Sequence, residues 1–271
     1  MAYLDTTTGA NFIPELWAEP IYKYYEAALK LRGSVDDYSS MVKGSGDTVH
    51  IPKIQMDGTN DKSASTAVTF SIAGTEGKVD LSINKHKYLA NIFEDIALIQ
   101  ANSELISKYT RMMGESLARG VEDDIWAELD GFNGSVSLGT DNTFAVGDLE
   151  SILNTLYSYD IDPNTCSIAL NNQLVADFMN PSTGVASYFI RKDAGGDGTE
   201  LRSGAVGLIY GMNVFYSRSI SSSTSTDAIV GAVYPKEACA FAAQQDVRVQ
   251  AQYDVEYLGT KVVTDMIYGA K

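Results

Sequence analysis

Two histidines, two cysteines and three acidic clusters are the residues of this chain whose types and spacing could do chemistry. His50 and His86 could ligate a metal or act as general bases, roles that need an acidic neighbour to orient the imidazole. Each lies in strand-like sequence with no acidic residue at a set spacing, so packing at a surface or interface is the plainer reading. Cys166 and Cys239 sit in the apolar runs TCSIAL and EACAFAA. Two thiols make neither a disulfide framework nor a four-ligand zinc site, and they read as small buried hydrophobes. Asp57, Asn60 and Asp61 could offer oxygens to Ca²⁺ but lack the bidentate Glu that closes a calcium loop. GGDGTE at 195–200 resembles one turn of a calcium-binding solenoid, which needs stacked repeats. Both read as plain turns. Glu122, Asp123 and Asp124 are consecutive on a predicted helix, so they point around it and read as a solvated face. No phosphate-cradling loop, HExxH, paired CxxC or Ser between spaced glycines occurs. The expectation is a protein with no catalytic residues, no metal and no cofactor.

The elements that carry these residues are unusual in length and patterning. In FIPELWAEPIYKYYEAALKLRG, Trp17, Ile21, Tyr24, Ala28 and Leu31 line one side of a predicted helix that Gly33 stops. Its stripe is covered by another part of an assembly or by the chain's own core; periodicity does not decide between them. Residues 47–93 read as a long β-hairpin, with Val68, Phe70 and Ile72 alternating in one stretch and Val79, Leu81 and Ile83 in the next. A two-stranded ribbon is marginal alone, so it needs a larger sheet or a neighbour.

Residues 94–130 read as one helix on the order of 50 Å long. Tyr109, Met113, Leu117, Val121, Ile125 and Leu129 are spaced by four, a stripe that winds around the helix and touches several surfaces in turn. An alternating region follows: helix DLESILNTLYSY, a turn at Asp162-Pro163-Asn164, buried strand TCSIAL and helix NNQLVADFM. A glycine-rich loop leads to the strand or bent strand pair GLIYGMNVFYS and the strand DAIVGAVYP. A short helical turn is expected after Pro235, and Asp246 to Tyr268 is alternating strand.

Composition narrows the class. Asp and Glu outnumber Lys and Arg by 35 to 20, a net charge of −15, which repels a polyanion and excludes a typical nucleic-acid grip. With 45% apolar and 20% charged residues, the 271-residue chain folds, as one large core or two small ones. The N-terminus is no signal peptide, and no apolar run spans a membrane.

Taken in order, these elements resemble the major capsid proteins of tailed bacteriophages, the Hong-Kong-ninety-seven-type capsid fold. FIPELWAEPIYKYYEAALKL resembles the arm helix and GDTVHIPKI the strand entering the extended loop. GLIYGMNVFYS, YPKEACAFAAQQDVRVQ and VVTDMIYGAK resemble the axial, returning and final strands. The resemblance implies an α+β subunit with an N-terminal arm (1–46), an extended β-hairpin loop (47–91), a peripheral domain with a long spine helix (92–135 and 228–271) and an axial domain (136–227). It implies self-assembly as pentamers and hexamers into an icosahedral shell around double-stranded DNA. It also implies a virion location after synthesis in the host cytoplasm, a portal partner and no membrane.

A long helical leader is missing before the arm, which points to a separate scaffolding protein; a decoration protein is left open. Trp17, Ile21, Tyr24, Lys62 and Phe70 are the residues it places at inter-subunit contacts. Lys62 is the loop lysine by which some members cross-link, though its partner Asn and acid cannot be assigned. Two alternatives stand beside it: a bacterial nanocompartment shell of the same fold, and a phage tail-tube or adhesion protein.

Overall fold

The computed structural model describes residues 21–25, 28–43, 46–53, 59, 61–68, 77–95, 103–132, 134–138, 144, 146–178, 208–220 and 230–271. Its frame is a four-stranded sheet packed on one long helix. Strands β9 (Ala240–Asp254) and β10 (Gly259–Ala270) form a long antiparallel hairpin, with β4 (Lys85–Glu94) antiparallel to β10 on one side. The two-residue β1 (Asp36–Asp37) pairs parallel with the start of β9. Strand β4 and the outer part of β9 alternate because one face is dry. Leu89 and Phe93, Val247, Val249 and Ala251, and Val262 gather with Met113 under the helix, whereas Tyr88, Ile92, Arg248, Gln250 and Gln252 stay exposed on the other face.

The long helix α2 runs from Ser103 to Leu129, 27 residues and about 40 Å. Glu94 ends β4 and Asp95 is already helical, while residues 96–102 lie outside the described residues, so the expected start at Glu94 is displaced by one residue. Residues 85–91, expected within the extended loop, lie in β4 and pair with β10 in the first sheet. The winding stripe is real. Met113 packs in one cluster with Ile21, Phe93 and Val262, and Leu117, Val121, Ile125 and Leu129 pack in the next with Phe241, Met266 and Tyr268. Tyr109, at the stripe's start, is partly exposed and edge-on to Phe93.

A second four-stranded sheet, largely within the stretch expected to be the axial domain, has the order β6-β7-β5-β8. It contains β5 (Cys166–Leu170), β6 (Leu208–Ile209), β7 (Met212–Tyr216) and β8 (Gly231–Pro235). Helices α3 (Val146–Ser158) and α4 (Asn172–Phe178) pack there through Leu149, Leu156 and Leu174. Strand β8 pairs with β5, so residues 231–235 complete this second sheet. The expected bent pair is a hairpin whose turn residues Tyr210 and Gly211 both have positive φ, as a two-residue turn between twisted strands requires.

The ribbon base is the pair β2 (Thr48–Lys53) and β3 (Gly77–Ser82). With the short helix α1 (Ser39–Val42), Val49 and Leu81 cover Ala240 and Ala242 of β9. Residues 36–42, expected within the arm, thus pair with and pack on β9. Val68 is exposed and outside any strand, and Phe70 and Ile72 lie outside the described residues.

The first helix (residues 21–25 and 28) crosses α2 at Gly114. A Cβ there would meet the Ile21 carbonyl oxygen at 2.5 Å, so only glycine allows the two backbones this close.

Candidate assembly surfaces

The two histidines are, in the fold, structural partners of acidic residues, while Asp57, Asn60 and residues 195–200 lie outside the described residues. His50 stands opposite Asp80 in the ribbon register, and its Nδ1 pairs with the Asp80 carboxylate. His86 Nε2 lies 3.1 Å from Oδ2 of Asp265, across β4 and β10. Asp265 is nearly buried and accepts two hydrogen bonds from Arg248, at 2.9 and 2.7 Å. Burial pushes its carboxyl up, but the Arg248 and His86 hydrogen bonds prevail and hold it below the usual range. Local spacing does not show these acids because strand pairing, not chain order, brings them to the histidines. Cys166 and Cys239 are buried free thiols, as expected, and burial pushes Cys239 up to about 11, leaving it an unreactive thiol.

The reading of residues 122–124 as a solvated face needs correction. Glu122 is buried. The backbone N–H groups of Lys30 and Leu31 donate to its Oε1, the latter at 2.6 Å, and Ser217 Oγ donates to Oε2 at 3.2 Å. Burial pushes its carboxyl up, against those hydrogen bonds. Asp124 accepts from Tyr268 Oη and pairs with Lys85 and Lys87. Among the described residues, no group of three or more His, Cys, Asp and Glu side chains is placed to hold a metal ion. No helix there is long and apolar enough to cross a membrane.

The expected contact residues separate. Ile21 is fully buried in its own chain against Met113, Phe93 and Val262, so it belongs to the subunit core and not to a face between subunits. Tyr25, not singled out by the periodicity, is the buried aromatic beside it, and its hydroxyl donates to the Met266 sulfur at 3.1 Å. Tyr24 is half-buried, with the Arg111 guanidinium 5.8 Å from its ring centroid. Lys62 is exposed. Trp17 and Phe70 lie outside the described residues.

Apolar side chains remain in solvent where backbone holds them firmly. One such group is the tip of the β9–β10 hairpin, where Val255, Tyr257 and Leu258 are 74%, 58% and 61% exposed. This tip is pinned. Asp95 N–H donates to the Leu258 carbonyl at 2.9 Å, and Tyr253 Oη donates to Asp95 Oδ2 at 2.7 Å. Lys261 pairs with Asp254 and sits 5.3 Å from the Tyr257 ring centroid. Leu258 has φ 44°, a strained backbone for a branched side chain. Tyr88 and Ile92 project from the open face of the first sheet, and Tyr157, Tyr159 and Tyr210 from the unit around the second. An ordered apolar side chain already has little freedom to lose on docking, which is the character of an interface anchor.

No family model and no curated protein matches this sequence. Solved structures do. A structure from Mycobacterium phage Che8 superposes with TM-score 0.70 at 22% identity, over 90% of this chain and 87% of that one. The capsid structure of cyanophage P-SCSP1u gives 0.63 at 16% identity, over 89% and 84%. A virus-like particle from Pyrococcus furiosus gives 0.58 at 11% identity, over 93% and 92%. The chain therefore has the phage major capsid fold, along nearly its whole length.

Proposed function

We propose that this chain is a structural shell subunit: the major capsid protein of a tailed phage, assembling as pentamers and hexamers into an icosahedral shell around double-stranded DNA. The observation that carries this reading is the rigid, solvent-exposed apolar tip at Val255–Leu258, on a fold whose solved counterparts are capsids. One copy leaves that surface wet; a second copy covers it. Each contact is modest, but closed symmetry multiplies many of them.

Strand β9 starts beside the axial sheet and runs 15 residues to the tip, about 50 Å away. In this arrangement the axial sheets gather around the symmetry axes of each capsomer, and the tips reach copies in the next one. The ribbon of one copy, with Lys62 and Phe70, lies over a neighbour's open peripheral face, where Tyr88 and Ile92 wait. Trp17 and Tyr24 serve the arm contact. The negative net charge suits an inner wall that lets packaged DNA slide. A portal and a separate scaffolding protein are the partners this route of assembly calls for.

Electron micrographs of particles isolated from the native source, where any scaffolding protein is present, and of the purified, concentrated protein test the proposal together. Closed round shells of even diameter are expected. A well-folded monomer under all crowding and salt conditions overturns it, and tubes or fibres favour a tail protein. A bacterial nanocompartment shell is the alternative of the same fold. Its mark is an enzyme, rather than DNA, inside shells isolated from the native source.

A further inference from the structure

Glu122 joins three parts of the chain that sequence holds about ninety residues apart. It sits in the C-terminal third of α2, and its Oε1 takes the N–H groups of Lys30 and Leu31, where the first helix gives way to a 3₁₀ turn (Leu31–Ser34). That turn has no side-chain cap of its own. Leu31 is buried, and its N–H would be orphaned without the carboxyl. The other oxygen, Oε2, takes Ser217 Oγ, and Ser217 is itself fixed to the axial sheet through its N–H to the Leu170 carbonyl at 3.1 Å. Glu122, Leu31 and Ser217 are all buried, so water does not replace a lost partner. Tyr234 closes the same corner from β8 through its hydroxyl contact with Ser34 Oγ at 2.6 Å.

We infer that Glu122 is a positioning residue that couples the arm to the axial sheet, so that loosening either one loosens the other. If the arm leaves, one oxygen of a buried carboxyl loses both its donors, and the Ser217 bond must hold the group alone. If the axial sheet shifts, the arm's cap loses its anchor. The coupling is reciprocal by thermodynamic necessity. Its use, letting an axial domain register whether the arm has engaged a neighbour, rests on the shell reading; the coupling within one chain does not.

Amide hydrogen exchange on the full-length, unassembled protein reads it directly. Ser217→Ala touches neither Lys30 nor Leu31, yet it should speed exchange of both amides about fivefold, the loss of one hydrogen bond's worth of protection. Glu122→Ala should speed exchange both there and in β7, leaving the middle of β9 and β10 at parent rates. Glu122→Gln keeps the Oε1 acceptor and should restore protection at Lys30 and Leu31. If Glu122→Ala does not fold, Ser217→Ala and Glu122→Gln still decide. Parent rates at Lys30 and Leu31 in Ser217→Ala, or loosening confined to one side in Glu122→Ala, overturn the inference. Failure to form shells would sink the capsid reading and leave this one untouched.

Discussion

Glu122 keeps its carboxyl where water does not reach, and this sets a testable pH dependence. Burial raises its native-state pKa above the unfolded value, so the native state binds this proton more tightly. The favourable contribution is then present below the unfolded-state pKa and is lost as pH rises through the native one. Glu122→Gln does not ionise. Urea midpoints should therefore shift in favour of the Gln variant as pH rises from about 4 to about 8. A constant difference would mean the carboxyl ionises as freely when folded as when unfolded. Asp265 has the opposite sign, because Arg248 and His86 lower its pKa. The penalty of Asp265→Asn should be full at neutral pH and shrink as acid carries the parent through the native-state pKa. Gly114→Ala places a methyl against the Ile21 carbonyl, and chemical denaturation should show a loss of about 1–3 kcal/mol despite alanine's better helix propensity.

Whether each element serves the core or an interface can be tested by exchanging an apolar side chain for serine. Ile21→Ser opens a hole under α2 and buries a hydroxyl, and should cost about 3–5 kcal/mol of subunit stability. The reading of the first helix as a purely external contact predicts no such loss. At the hairpin tip the expectation reverses. Val255→Ser with Tyr257→Ser should leave the denaturation midpoint within about 0.5 kcal/mol, because both side chains are already wet. Shell yield by light scattering should nevertheless fall sharply. If shells form at parent yield, the tip is not an assembly contact.

For the whole molecule, a net charge of −15 per copy means that copies repel until something screens them. Raising salt from about 0.01 M to about 1 M shortens the Debye length from about 30 Å to about 3 Å. The concentration at which shells appear in sedimentation should therefore fall with added salt. A rise would show that ion pairs between copies, and not apolar contacts, hold the shell.

Patterning local to the chain was legible from the start. The alternation after Asp246, the buried strand TCSIAL, the winding stripe on α2 and the two buried thiols all follow from side-chain period and burial, which neighbours in sequence dictate. The capsid fold was legible too, from the order of those elements. Tertiary structure alone decided the partners. Only strand register brings Asp80 to His50 and Asp265 to His86, and only the crossing of the first helix over α2 turns Ile21 inward. Glu122 looked like one of three solvated acids until folding brought the Lys30 and Leu31 amides and Ser217 to it. A charge's burial depends on what distant chain segments place around it, and periodicity along one helix carries no record of that.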